Sequence, residues 1–190
     1  MRLGIYGGSF DPVHLGHLLA AQAAREELAL DKLFFVPAAQ SPFKTENRMT
    51  PAEIRLRLLR LALAGQSHCA VDDQEIRRGG VSYAVETVRD YARRFPGATL
   101  FYLIGSDHVA KLNQWHQAGE LARLTQFAVV PRPGEGSVEL PRPFRGIVMK
   151  GFPTNISSSE IRARVRAGLP IEPFVPPFVA EAVCAAKLYL

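Results

Sequence analysis

Residues 2–17 read RLGIYGGSFDPVHLGH, and the fold turns on them. Residues 2–6 are short and largely apolar, the pattern of a buried strand, and Gly7-Gly8 ends it. From Leu15 the step changes: Leu15, Leu18, Leu19, Ala23 and Leu28 recur at helical spacing. GGSFDPVHLGH at 7–17 is therefore a strand-to-helix junction. Its two glycines let backbone approach a ligand closely, and successive N–H groups in such a loop cradle phosphate oxygens. The following helix presents its positive end to the same place. His14 and His17 are three residues apart and share one face of the first turn, with Gly16 between them leaving room for a ligand. Helix capping explains one histidine; two of them beside a double glycine point to a site for phosphate charge that develops during reaction. The loop is neither GxxxxGK[ST] nor GxGxxG.

Working outward, strands are expected at 33–37, 69–73, 99–104, 126–130 and 145–149. Between them, Thr50-Pro51-Ala52-Glu53 has the form of a capping box, with Thr50 as N-cap, ahead of a helix striped by Leu56, Leu59 and Leu63. Further helices are expected at 82–95, 107–113, 117–123, 157–167 and 176–188, with a surface loop at 132–144. Strands alternating with helices predict an α/β fold: a Rossmann-like parallel sheet covered on both faces, with a helical C-terminal segment. Right-handed crossovers then gather the loops that follow the strands along one sheet edge, where ligands bind. No internal repeat or linker divides the chain, so residues 1–190 read as a single domain.

Composition sets the bounds. At 190 residues, with 47% apolar and 22% charged residues, the chain can bury a sizeable core and is neither disordered nor membrane-spanning. No apolar run approaches the ~20 residues a bilayer requires. MRLGIYGGSF lacks the features of a secretory signal. Cys69 and Cys184 are too few for a disulfide framework and lack metal spacing; they read as reduced thiols of a cytoplasmic protein. A net charge of +5 and a pI near 9.5 raise nucleic-acid binding as a reading. The basic residues are interleaved with acidic ones, however, so no nucleic-acid partner and no membrane partner are expected. A mild positive excess suits anionic small substrates.

Residues 156–162 read ISSSEIR at the start of an expected helix. Serines and amides at a helix N-terminus form an anion site, and Arg162 adds a guanidinium suited to a phosphate. A serine-rich cap with a solvated arginine is the plainer alternative. Taken together, the two strings resemble the signatures of a known superfamily. Residues 8–17 resemble G-x-F-D-P-x-H-x-G-H of the nucleotidyltransferases that transfer AMP or CMP. Residues 156–162 are similar to the I-S-S-T-x-I-R motif that grips ATP phosphates in adenylyltransferases, with Ser159 where Thr is common. GVSYAVETV at 80–88, LIGSDHVAKLNQWH at 103–116, VPRPG at 130–134, SPFK at 41–44 and the pattern V-P-P-x-V…L-Y at 175–189 resemble one branch, the nicotinate-nucleotide adenylyltransferases.

The resemblance covers essentially the whole chain and implies a division of labour. Gly7, Gly8, Ser9, Phe10, His14, His17, Gly105, Asp107, Ile156, Ser157, Ser158 and Arg162 would serve ATP. Ser9, Lys44, Ser82, Tyr83, Ala84, Trp115 and Arg132 would serve nicotinate mononucleotide, and His14, His17, Lys44 and Arg162 the chemistry. Trp115 has polar neighbours in Asn113, Gln114 and His116, which suits a ring stacking on a flat pyridine; a core position is its other reading. Tyr83 also reads as a packing ring, and Arg132 as a loop residue. Asp107 has two equal readings, acceptor of ribose hydroxyls or helix N-cap. Phe43, Ala84 and His116 depart from the family's His, Thr and second aromatic.

The implied reaction is ATP plus nicotinate mononucleotide giving deamido-NAD and pyrophosphate, in NAD biosynthesis. The attacking phosphate is already anionic, so no general base is needed. Mg²⁺ would arrive on ATP oxygens rather than in a protein ligand cluster. The rival readings are an adenylyltransferase for nicotinamide mononucleotide or phosphopantetheine, and a non-catalytic nucleotide-binding regulator. The favoured reading requires His14, His17 and Arg162 to converge on one triphosphate.

Overall fold

The structure, a computed structural model, describes residues 1–42, 49–134 and 138–190. The strands are β1 (Arg2–Gly8), β2 (Lys32–Pro37), β3 (Cys69–Val71), β4 (Thr99–Gly105), β5 (Gln126–Val130) and β6 (Gly146–Val148). The helices are α1 (Leu15–Glu27), α2 (Ala52–Ala62), α3 (Gln74–Arg78), α4 (Ala84–Arg94), α5 (Ala118–Leu124), α6 (Ser158–Arg166) and α7 (Pro177–Ala185), with a 3-10 segment at Ser106–Gln114. All strand pairs are parallel, and the order is β3-β2-β1-β4-β5-β6. This is the α/β architecture that the alternation of patterns implied.

Side-chain direction divides the sheet between two helical layers. Leu33 and Phe35 of β2 and Phe101 and Leu103 of β4 pack with α1, α2 and α7 through Ala24, Leu58, Leu59 and Val179. Their alternating neighbours Phe34, Val36, Leu100 and Tyr102 face the opposite way, against Val85, Val88 and Tyr91 of α4 and Leu121 of α5. Both sheet faces are thus buried, and the central strands are apolar in almost every position. On α1 the buried positions are Ala20, Ala21, Ala23 and Ala24, small side chains that bring the helix close to the sheet.

Several local expectations are corrected. Thr50 does not cap α2; Pro51 is the N-cap, and Thr50 spends its backbone elsewhere, its N–H on Asp11 and its carbonyl on Arg55. The helix expected from 82 begins at Ala84, because Ser82 pairs with the chain after β2, its N–H donating to the Gln40 carbonyl at 2.9 Å. Helix α3 lies outside the expected elements; its five residues carry no readable period. The stretch expected as helix at 107–113 is 3-10 in type.

Candidate active site

Strand order reverses direction at β1, whose neighbours β2 and β4 lead their chains to opposite sides. Beyond the carboxyl ends of β1 and β4 the following loops part and leave a crevice. A cleft of about 900 Å³ opens there, within the usual range for a small-molecule site. Gly7, Gly8, Ser9 and Phe10 line it from β1, and Gly105 and Asp107 from β4. Gly7 is required by packing: a Cβ there would collide with the Tyr102 hydroxyl. Phe10 adopts a left-handed φ of 47°, a conformation that side chains resist, and its buried ring packs edge-on against Tyr6 and His17.

His14 and His17 both line the cleft, their ring centroids 3.7 Å apart. His14 stands just outside the helix as its N-cap, with extended backbone, and His17 is one turn in. The backbone N–H of His14 donates to Nδ1 of His17 at 3.2 Å, so that ring nitrogen is an acceptor. Burial pushes the His14 imidazole down to about 4 from an ordinary 6.5, so it is neutral near pH 7. Gly16 lines the cleft, and the space beside it is shared with the His14 ring, 3.0 Å from where a Cβ would stand.

The second motif forms the opposite wall of this end. Ile156, Ser157 and Ser158 line the cleft at the N-terminus of α6. Ser157 caps the helix, accepting from the Glu160 N–H at 3.2 Å, and Ser158 Oγ donates to the Pro12 carbonyl at 2.9 Å. Arg162 departs from the expected convergence. Its Nη1 donates to the Asp11 carbonyl at 2.7 Å and its Nη2 to Ser159 Oγ at 3.3 Å. The guanidinium therefore rests on the first loop, and Arg162 is not among the residues lining the cleft. Lys44 and Phe43 lie outside the described residues.

At the other end, Ser82, Tyr83, Ala84, Trp115 and Arg132 all line the cleft. Trp115 is half-buried, meets Tyr102 and Phe127 edge-on and also lines the cleft, so it is part core and part cleft wall. The Tyr83 ring lies tilted against His116 with centroids 4.3 Å apart. Asp107 is not the helix cap, a role taken by Gly105; its carboxylate pairs with Arg132 at 3.2 Å across the cleft mouth. Arg132 is accordingly tied to the site rather than a free loop residue.

Sequence reasoning missed Glu75, which lines the same end from α3 and is buried. Burial raises its carboxyl above the usual carboxylate range, and Thr87 and Ser82 hold it by hydrogen bonds. It also missed Arg55, a fully buried guanidinium. The available signal was its place on the apolar stripe of α2 with Leu58, Leu59 and Ala62, where a charge must have polar partners. Among the described residues no group of three or more His, Cys, Asp or Glu side chains is placed to hold a metal ion. Among those residues, too, no helix is long and apolar enough to cross a membrane.

Comparison with known proteins agrees with this geometry. The cytidylyltransferase-like family model matches residues 5–164. A protein of Gemmatimonas aurantiaca named as a probable nicotinate-nucleotide adenylyltransferase is 43% identical over 100% of this chain and 92% of its own. One of the same name from Opitutus terrae is 41% identical over 93% of this chain and 91% of its own. The structure of Plasmodium falciparum nicotinic acid mononucleotide adenylyltransferase complexed with NaAD superposes with a TM-score of 0.77, covering 99% of this chain and 97% of that one. At 18% identity, what that pair shares is the fold. The chain belongs to the cytidylyltransferase-like family, in its nicotinate-nucleotide adenylyltransferase branch.

Proposed function

We propose that the protein transfers AMP from ATP to nicotinate mononucleotide, with the whole chain acting as one catalytic unit in the cytoplasm. A phosphate oxygen of the mononucleotide attacks the α-phosphorus of ATP. The new P–O bond forms as the bond to the β-phosphate oxygen breaks, giving deamido-NAD and pyrophosphate. The observation that carries this reading is the two-ended cleft. Paired imidazole N–H donors stand at one end, and an aromatic wall of Trp115, Tyr83 and His116 at the other.

The chemistry asks for positioning and charge stabilisation rather than proton abstraction. His14 and His17 donate to the triphosphate, and the N-terminus of α6, where Ser157 and Ser158 line the cleft, faces the same anion. Lys44 would reach the phosphates from the loop that carries it. Arg162 does not converge on the triphosphate as the sequence reading required; it serves by fixing the first loop through the Asp11 carbonyl, and the reading rests instead on the room for three phosphoryl groups in the cleft of about 900 Å³ beside His14 and His17. Asp107 accepts from ribose hydroxyls, and Arg132 neutralises Asp107 beside the mononucleotide. Mg²⁺ comes with ATP: it prefers oxygen ligands and keeps its waters, and the triphosphate end of the cleft offers imidazoles and hydroxyls instead.

The test is pyrophosphate release by the purified protein with ATP and each of three acceptors: nicotinate mononucleotide, nicotinamide mononucleotide and phosphopantetheine. Fastest turnover with the nicotinate compound is expected. Preference for either other acceptor, or no release with any, would overturn the assignment.

A further inference from the structure

Three carbonyls of the phosphate-facing loop are taken by distant parts of the chain. Arg55 Nη1 donates to the Ser9 carbonyl at 2.7 Å, Arg162 Nη1 to that of Asp11 at 2.7 Å, and Ser158 Oγ to that of Pro12 at 2.9 Å. Asp11 itself is buried, and its side chain extends the set. Its Oδ1 accepts from the Tyr189 hydroxyl at 2.9 Å, across 178 residues of sequence, and its Oδ2 from the Thr50 N–H at 3.2 Å. Arg55, only 1% exposed, spends its other N–H groups on the Thr50, Ala38 and Ala39 carbonyls, at 2.8, 2.7 and 3.1 Å.

A guanidinium this deep is costly unless fully bonded and balanced. Burial lowers the Arg55 pKa, and the nearby Asp11 carboxylate is the charge that opposes this. Arginine suits the position because its planar fork reaches four carbonyls at once. The consequence for the cleft follows from peptide geometry. In a trans peptide the C=O and the next N–H point in opposite directions. Holding the Ser9 carbonyl on Arg55, which is buried and does not line the cleft, therefore turns the Phe10 N–H the other way, away from Arg55.

We infer that Arg55, Asp11 and Tyr189 form one clamp that holds the 9–13 loop in its phosphate-receiving shape, which makes Tyr189 a positioning residue for ATP. The inference deepens the ATP-dependent reading above and rests on it. The C-terminal segment thereby acquires a part in ATP binding, and it supports the same corner a second time through the Leu15 N–H, which donates to the Phe174 carbonyl at 2.9 Å.

The experiment measures ATP affinity by titration calorimetry and KM for both substrates in wild type, Tyr189→Phe, Asp11→Asn and the double variant. Tyr189→Phe removes one hydroxyl and keeps the ring, so it folds where Arg55→Lys risks failing to. Loss of a hydrogen bond to a charged group predicts that ATP binds about tenfold more weakly. KM for the mononucleotide stays within about twofold, and the double variant is no worse than Asp11→Asn alone, because both changes cut one link. ATP affinity at the wild-type level in folded Tyr189→Phe would overturn the clamp, as would equal weakening of both substrates; a lowered unfolding temperature with unchanged ATP affinity assigns Tyr189 to stability alone and overturns it too. Wild type that binds ATP but releases no pyrophosphate overturns the proposed reaction and leaves the clamp to be judged on binding.

Discussion

His14 and His17 reach the cleft as imidazoles set by two different routes. His17 is fixed by accepting at Nδ1, and His14 by burial. The first route predicts chemistry. His17→Ala removes a donor aimed at charge that grows in the transition state, so kcat should fall about 10²–10³-fold with little change in either KM. Steady-state kinetics checks this, and an unchanged kcat would remove the role. The second route predicts a pH dependence of stability. In the unfolded chain His14 protonates near 6.5, whereas in the fold it stays neutral down to about 4. The unfolded state then binds more protons across that window, so stability is complete above pH 6.5 and falls as pH drops toward 4. Denaturant titrations at pH 7 and pH 4.5 should show this loss in wild type and a smaller one in His14→Asn, the difference being up to about 3 kcal/mol. Identical pH dependence in the two proteins would mean that His14 titrates normally.

At the scale of elements, β6 carries more of the site than its three residues suggest. Its Gly146 lies so close to Phe127 of β5 that a Cβ would collide with that residue's carbonyl oxygen. The chain leaving β6 is then pinned by the Lys150 and Gly151 N–H groups donating to Glu27, and runs on to the cleft-lining stretch 154–159. Gly146→Ala should therefore unpair this edge and loosen the second motif. A destabilisation of about 1–3 kcal/mol is expected, with faster amide exchange at Phe127 and Met149, whose N–H groups bond across this edge. Wild-type unfolding and exchange would show that the edge yields freely. The strands themselves were readable because burial on both faces makes runs such as TLFYLI and QFAVV apolar throughout. Helix α3 was not, since QEIRR is too short to show a period, and with it Glu75 went unseen. The two histidines could be placed from their spacing, and the serines of α6 from the resemblance of ISSSEIR to a phosphate-gripping motif. The direction of Arg162 could not, because it is set by the carbonyl of Asp11, which no pattern in 156–162 encodes.

At the scale of the molecule, the parallel order β3-β2-β1-β4-β5-β6 divides the cleft between two structural halves. The imidazole end is built on the loop after β1, on α1 and on the start of α6. The aromatic end is built on α3, the start of α4 and the 3-10 segment after β4, which rest on the opposite face of the sheet. Contacts within each half are dense and hydrogen-bonded, so a change at one end has little reason to spread to the other. Trp115 tests this separation, being tied to Tyr102 and Phe127 in one half and remote in packing from the histidines. Trp115→Ala should raise KM for the mononucleotide by about tenfold, the worth of a lost aromatic stack, while KM for ATP moves by less than about twofold. Each constant is measured with the other substrate saturating. Because Trp115 also fills core space, the variant will lose stability, and the kinetics belong well below its unfolding temperature. If both KM values rise together in folded protein, the ring acts on the whole cleft through the sheet, and the two ends are not independent sites.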